Sequence, residues 1–557
     1  EYSVIERLRA LAMGGAPRML LTSIVTGVIV GVVVAAVEYA TVELLLETIE
    51  TFDLWLLAIM PMVGLAAAAL SLRWLAGGAS SKTADEYISA FHDRNPVLPI
   101  RQLPGKLIAG ITTIGLGGSL GLEGPSIYAG ATVGSTLQAR LGRWFTRDES
   151  RTLLVAGAAA GVAAIFKTPA TGVMFALESP YRGDVARHAL LPALMASASG
   201  FLVSRALIGD EAVAFLGTTP TLESFDLLGA ALIGVVAGLG ARAFAWGVRW
   251  AKHTSERLGP VVRVVGAGVV LGALVLVSHE IFDGESLTTG PGYRALTWAD
   301  ESEALGLLAL LFVLRAVATL TTVVGGGTGG LFIPLVVQGS LIGRMLAVWR
   351  QPSEDVSNLF PILGLAAFLG AGYRTPIAAV MFVAETTGGA RYVVPALIAA
   401  ATSQLVMGPR SVATSQRAAR LGHLERRFEL PITAALTTEV MTVPTDATVT
   451  EFVWAHIVGR RATMVPVVDA GQYVGVAGLQ EIASIERDAW DETLVGEIVR
   501  REVPAALPSW TMRDAIVAME RHDLDFLPVT DREGHFVGII DADEVLRLDQ
   551  ILDETGG

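Results

Sequence analysis

Long stretches of this chain are apolar or small at almost every position. Polar residues do not recur at the spacing of an amphipathic helix or strand. Leu20–Val37, Leu54–Leu72, Leu227–Leu239, Val261–Val277, Leu305–Leu320 and Val393–Met407 are nearly free of charge. A helix that is apolar all round offers no face to water and belongs in a large core or a bilayer. Some stretches approach the ~20 residues that span ~30 Å of hydrocarbon, and others fall short. Short, glycine-interrupted segments predict tilted and half-spanning helices in a polytopic bundle.

The pattern changes near residue 426. Apolar runs of strand length, Met464–Asp469, Tyr473–Val476, Phe526–Asp531 and Phe536–Ile540, alternate with helical stretches at Thr448–Gly459 and Thr511–His522. This reads as a β-α-β-β-α unit made twice, about 437–490 and 497–550.

Composition agrees with the division. The 557 residues are 52% hydrophobic and 17% charged, with a mean hydropathy of +0.54. Soluble domains carry about a quarter charged residues. Residues 426–557 hold 11 Arg, no Lys and 24 Asp plus Glu, a net of −13, which is the whole chain's excess. The tail is therefore expected to be a separate, solvated body. Its acidity argues against nucleic acid, whose phosphates need basic surfaces. With no cysteine, disulfides and thiolate chemistry are excluded. His92, His188, His253 and His279 lack metal-ligand spacing, and Gly325–Gly330 is no P-loop because no Gly-Lys-Ser/Thr follows. No nucleophile–base constellation is present, so an enzyme is not expected. The N-terminus, with Arg7, Arg9 and Arg18, shows no cleavable signal and is read as a short cytosolic helix over 1–17.

The apolar region repeats itself. Phe166-Lys167-Thr168-Pro169 through Glu178 returns as Tyr373-Arg374-Thr375-Pro376 through Glu385, at an offset of 207. Gly121–Pro125 and Gly330–Pro334 match at 209. The membrane region thus spans about 18–425, with halves near 18–210 and 225–420. Twofold repeats with broken helices mark transporters, whose sites lie near the midplane where the halves meet. Glu178 and Glu385 occupy matching positions and are expected to cap, or pair at, the repeated helix ends. Lys167 and Arg374 also match and read as helix-flanking cations that snorkel to headgroups.

Glu123, in Gly121-Leu122-Glu123-Gly124-Pro125, is the candidate functional residue. A carboxylate in a bilayer is costly and rarely incidental. Glycine and proline around it imply helix starts with free N–H groups, which suit an anion. Burial disfavours its charge while those donors favour it.

These motifs carry a resemblance. Gly121–Pro125 is similar to the G-x-E-G-P motif, and Gly330-Leu331-Phe332-Ile333-Pro334 to the G-x-F-x-P motif, of the CLC chloride channels and chloride/proton antiporters. The tail resembles a pair of cystathionine-β-synthase-type (CBS) modules. The resemblance covers nearly the whole chain. It implies an all-α polytopic membrane fold of two inverted repeats with broken helices, followed by a small α/β cytosolic CBS pair. It also implies a homodimer in the cell membrane with one anion pathway per subunit. Chloride would bind backbone N–H groups of Gly121, Glu123, Gly124, Leu331 and Phe332. Ionised, the Glu123 carboxylate would mimic an anion and plug the outer site; protonated, it would swing away.

The sequence departs from the family pattern at three places. The serine of the family's first motif, which serves the central anion site, falls on Lys82, flanked by Ser81 and Thr83. The family's site tyrosine falls on Ala413. The internal proton-transfer glutamate of many antiporters falls on Ser179, which carries no exchangeable charge near neutral pH. Ser179 therefore points to a passive, glutamate-gated chloride channel. The alternatives are a chloride/proton antiporter with a water-mediated inner proton path, and a membrane sensor that does not transport. Pro125 disfavours fluoride specificity. No cofactor or metal is implied beyond bound chloride. In the tail, Glu481, Asp541 and Glu544 fall where nucleotide-binding CBS pairs hold an adenine nucleotide.

Overall fold

The computed structural model describes residues 15–93, 95–142, 151–209, 224–350, 359–418, 430–459, 463–522 and 524–541. Two compact units are present, residues 1–420 and 421–557.

In the first unit the apolar stretches form helices. The first half contains α1 (Gly15–Thr41), α2 (Leu54–Trp74), α3 (Ala84–His92) and α4 (Leu103–Gly115), then α5 (Glu123–Arg140), α6 (Thr152–Phe166), α7 (Pro169–Glu178) and α8 (Leu190–Ile208). The second half contains α9 (Ser224–Arg257), α10 (Pro260–Ile281), α11 (Tyr293–Glu301) and α12 (Leu305–Val324), then α13 (Phe332–Arg350), α14 (Leu359–Tyr373), α15 (Pro376–Thr387) and α16 (Val393–Met407). Each helix of the first half thus has a counterpart in the second, in the same order. Of the expected N-terminal helix, residues 1–14 lie outside the described residues, and Gly15–Pro17 already belong to α1.

Eight helical stretches among the described residues are long and apolar enough to cross a bilayer. Their outward faces are as apolar as their inward ones: Leu21, Val261 and Leu405 are 61%, 74% and 85% exposed. Water would not tolerate such a surface, and hydrocarbon does.

One matched pair of short helices, α7 and α15, forms the downstream halves of broken ones. α6 and α7 are interrupted at Lys167-Thr168-Pro169, and α14 and α15 at Arg374-Thr375-Pro376. Proline at the first helical position lacks the N–H that a continuous helix would use, and it pushes the preceding residue out of the helical region. Lys167 and Arg374 both take left-handed backbone, φ 58° and 60°, to end the upstream helix. At ten and twelve residues, α7 and α15 are too short to span hydrocarbon.

These two half-helices define the relation between the repeats. Glu178, at the end of α7, accepts the N–H groups of Ile377 (3.2 Å) and Ala378 (2.8 Å) at the start of α15. Glu385 of α15 accepts those of Ala170 (2.8 Å) and Thr171 (2.7 Å) at the start of α7. Each carboxylate caps the other repeat's helix, so α7 and α15 run antiparallel about a local twofold axis. Anionic caps satisfy donors that α7 and α15 leave open at their N-termini.

The two flanking cations do not snorkel. Lys167 is buried, its ammonium donating to Glu38 Oε2 (2.7 Å), the Ala164 carbonyl (2.9 Å) and Ser204 Oγ (3.0 Å). Arg374 donates to the carbonyls of Arg182 and Gly408. Buried polar side chains must find partners, and here partners within the bundle are nearer than headgroups.

In the second unit, β2 (Met464–Asp469) and β3 (Gln472–Gly478) form one antiparallel hairpin. β4 (Phe526–Thr530) and β5 (Phe536–Asp541) form another. Before each hairpin stands a helix, Val449–Phe452 and Met512–His522 (α17) respectively. Thr448 and Glu451 make a capping box at the first. The short strand β1 (Leu436–Thr437) pairs with β5, not with the hairpin that follows it in sequence. Local pattern cannot reveal such an exchange.

Candidate functional site

The two glycine loops meet. Gly121 N–H donates to the Gly330 carbonyl (2.9 Å), and Gly330 N–H to that of Gly121 (2.7 Å). This antiparallel bridge places the N-termini of α5 and α13, one from each repeat, against one another. Glu123 is the first residue of α5, and its Oε1 accepts the N–H of Phe332, the first residue of α13, at 2.5 Å. Oε2 is buried with no hydrogen-bond partner in the structure. Residue 330 must be glycine: a Cβ there would stand 2.6 Å from the Gly124 backbone nitrogen and 2.0 Å from Glu123 Oε1.

The carboxylate therefore takes a helix-terminal N–H, a kind of donor that also binds anions. It occupies one helix-terminal donor and keeps a second oxygen uncommitted. Its neutral form would bind that donor more weakly, because charge-assisted hydrogen bonds are about twice as strong as neutral ones.

Aromatic rings seal the site. Phe332 packs on Phe166, Phe382 and Phe175, at centroid distances of 4.5, 5.1 and 5.4 Å. Phe175 packs in turn on Tyr373 at 5.0 Å. Phe166 and Phe175 match Tyr373 and Phe382 at the repeat offset, so the cage shares the twofold relation of the halves. The Tyr373 hydroxyl accepts the Leu331 N–H at 3.3 Å. No hydroxyl was expected at the glycine loop, because the family's site tyrosine falls on Ala413; Tyr373 supplies one. The repeat offset of 207 sets Tyr373 on Phe166, which predicts the ring but not its hydroxyl.

A cavity of about 810 Å³ reaches these loops, lined by Gly329, Gly330, Leu331, Tyr373, Ser81, Lys82, Thr83 and Ala413 among others. Gly121, Glu123, Gly124, Leu331 and Phe332 are thus brought together, but the expected Gly121 and Leu331 donors are already engaged by the Gly330 carbonyl and the Tyr373 hydroxyl. Ser81, Lys82 and Ala413 stand in the cavity wall. The Lys82 side chain does not point at the loops. Its ammonium pairs with Glu256 at 2.9 Å, with both side chains substantially exposed. The neighbouring Thr83 turns inward instead and donates its hydroxyl to the Gly329 carbonyl at 3.2 Å. Ser179 lies elsewhere, buried at the C-terminus of α7 with its carbonyl held by Gln416 (2.9 Å).

In the tail, Glu481 faces Arg500 at 3.9 Å, and Asp541 ends β5. Glu544 lies outside the described residues.

Antiparallel helical repeats, broken helices and a carboxylate held between two helix N-termini define a polytopic ion-transport protein. A sequence profile described as "Voltage gated chloride channel" matches residues 63–408, and one described as "CBS domain" matches residues 495–550. The chain belongs to the voltage-gated chloride channel (CLC) family and carries a CBS region behind its membrane domain. It is 29% identical over 335 residues to the H(+)/Cl(-) exchange transporter ClcA of Vibrio cholerae serotype O1, covering 56% of this chain and 68% of that protein. The Cronobacter sakazakii ClcA is 29% identical over 357 residues, 62% and 75% of the two chains. The solved structure of a CLC-type fluoride/proton antiporter has a TM-score of 0.63 and 25% identity, covering 75% of this chain and all of that one. A eukaryotic CLC transporter shares the fold over 95% of this chain and 98% of its own, with a TM-score of 0.61 and 18% identity.

Proposed function

We propose that this protein exchanges chloride for protons across the membrane, with Glu123 as the group that both blocks the anion pathway and carries the proton. The observation that carries this reading is the Glu123 carboxylate on the Phe332 N–H, with its second oxygen unpartnered. A group that replaces chloride when charged, and leaves when protonated, links the two ions at one position.

The passive-channel expectation drawn from Ser179 gives way here to its alternative. The ClcA relatives are named exchange transporters, and they match across most of the membrane region. The missing internal carboxylate does not oppose exchange, because the cavity is roomy and polar enough for water. It reaches Gly330 and Leu331, beside the residue that holds Glu123. Chloride rather than fluoride is the anion, since Pro125 keeps the chloride-type ending of the motif. The working unit is a homodimer with a cytosolic tail. That tail serves as a scaffold rather than a nucleotide site, because its surplus of acid repels phosphates.

The test is proton movement in liposomes loaded with purified protein. A chloride gradient should drive protons uphill. Chloride flux without proton movement would restore the channel reading, and no flux at all would leave the sensor.

A further inference from the structure

Four basic side chains of the membrane unit are engaged with other groups. Lys82 pairs with Glu256, and Lys252, deeper in the cavity, pairs with Asp85. Lys167 is bound to Glu38, and Arg374 donates to carbonyls. Two further arginines line the cavity, Arg73 and Arg263. Arg73 is exposed, where water and salt screen its charge.

Arg263 is different. It is half-buried at the fourth residue of α10, whose first turn, Pro260 and Val261, also lines the cavity. Among the described residues it has no carboxylate partner. Its one side-chain hydrogen bond among the described residues is a long one, 3.4 Å from Nη1 to the Ser255 carbonyl, and its Nε is sealed without any. The guanidinium lies flat against Gly326, where a Cβ would stand 3.0 Å from Cζ, and φ is +79°. That loop leads through Gly330 to Leu331. A full positive charge thus borders a concave space with low-dielectric walls. Such a space focuses field and concentrates counter-ions.

We propose that Arg263 and the first turn of α10 form an anion-recruiting site in this cavity, which takes a small monovalent anion and passes it to the glycine loops. The proposal rests on the chloride-transport reading for its role and on the cavity's charges for its existence.

The experiment uses the full chain in liposomes and varies chloride on the cavity side at low ionic strength. Arg263→Gln should raise the half-saturating chloride concentration about threefold to tenfold, the effect of one charge several Å away in a partly wet site. The maximal rate should change less than about twofold. At about 1 M impermeant salt, where the screening length is ~3 Å, the difference should vanish. Arg263→Lys should recover most of the affinity. Glu256→Gln, at the exposed rim, leaves Lys82 unpaired and should lower the half-saturating concentration. Unchanged half-saturation in Arg263→Gln overturns the proposal, as does a loss of maximal rate that salt does not alter. If Arg263→Gln fails to fold, a wild-type half-saturating concentration that does not rise with impermeant salt overturns it instead. If the wild type carries no chloride flux, the transport reading fails by itself. Calorimetric chloride binding in detergent then decides: an affinity equal in wild type and Arg263→Gln sinks the site.

Discussion

Glu38→Gln should destabilise the membrane unit more than removal of its partner Lys167. The Lys167 side chain is 2% exposed and that of Glu38 18%. All three ammonium protons are used, on Glu38 Oε2, the Ala164 carbonyl and Ser204 Oγ. Glutamine leaves an acceptor in place but takes away the counter-charge, so a buried cation is left with neutral partners. Breaking a buried ion pair from one side costs about 3–5 kcal/mol. Partial exposure of Glu38 brings the expectation to the lower end, about 3 kcal/mol. Lys167→Met removes the cation itself and leaves the more exposed partner, Glu38, without its counter-charge. Its cost is the loss of hydrogen bonds at Ala164 and Ser204, about 1–3 kcal/mol. The double variant should cost less than the two single changes added, with a coupling of about 1–3 kcal/mol. The assay is the apparent melting temperature in detergent, followed by loss of monodisperse protein, with flux per folded protein as a control. Glu38→Gln melting with the wild type, or above Lys167→Met, would refute the reasoning. Lys167 would then be a headgroup-seeking cation after all.

Further consequences follow from other contacts. Glu178→Gln and Glu385→Gln each weaken a two-donor cap on the opposite repeat and should each cost about 1–2 kcal/mol, read by the same thermal assay; equal stability would deny the reciprocal caps. Tyr373→Phe removes the acceptor of the Leu331 N–H and should shift half-saturating chloride by roughly twofold to tenfold, at a stability cost of about 1 kcal/mol. An unchanged chloride dependence would place Tyr373 outside the pathway. In the tail, the Thr511 hydroxyl, and then its N–H, hold the Asp514 carboxyl below the usual carboxylate range. A lowered folded value means that this support of α17 is present above the ordinary carboxylate range, about pH 4, and fades as acid titrates the folded form. Thr511→Ala should move the Asp514 titration upward by carboxyl NMR on residues 421–557, and no movement would contradict the assignment.

Membrane spans were readable because segments apolar on every side have no soluble solution, and each predicted stretch lies inside a helix. The repeat was readable because Thr-Pro and the glycine loops recur at nearly one offset. Pairing was not. Glu178 and Glu385 show symmetric positions in sequence, but nothing local shows that each reaches across to the other's helix. Lys82 fell at the expected serine position by count, yet one residue of register turns Thr83 inward and leaves Lys82 at the rim with Glu256. Ala413 left the glycine loop without an expected hydroxyl, and Tyr373 brings one from the end of α14. β1 joins the second hairpin of the tail through a contact about a hundred residues away, beyond any periodic signal. In each case the missing term was a long-range partner, which sequence spacing does not encode.

The central claim is that one carboxylate couples the two ions, and Glu123→Gln tests it most directly. Chloride and proton fluxes should be recorded together from the same liposomes across pH 4 to 8. Glutamine has nearly the shape of the protonated side chain and cannot titrate, so chloride flux should persist, lose its pH dependence and drive no protons. Proton movement coupled to chloride in Glu123→Gln, or a pH dependence matching the wild type, would contradict the account.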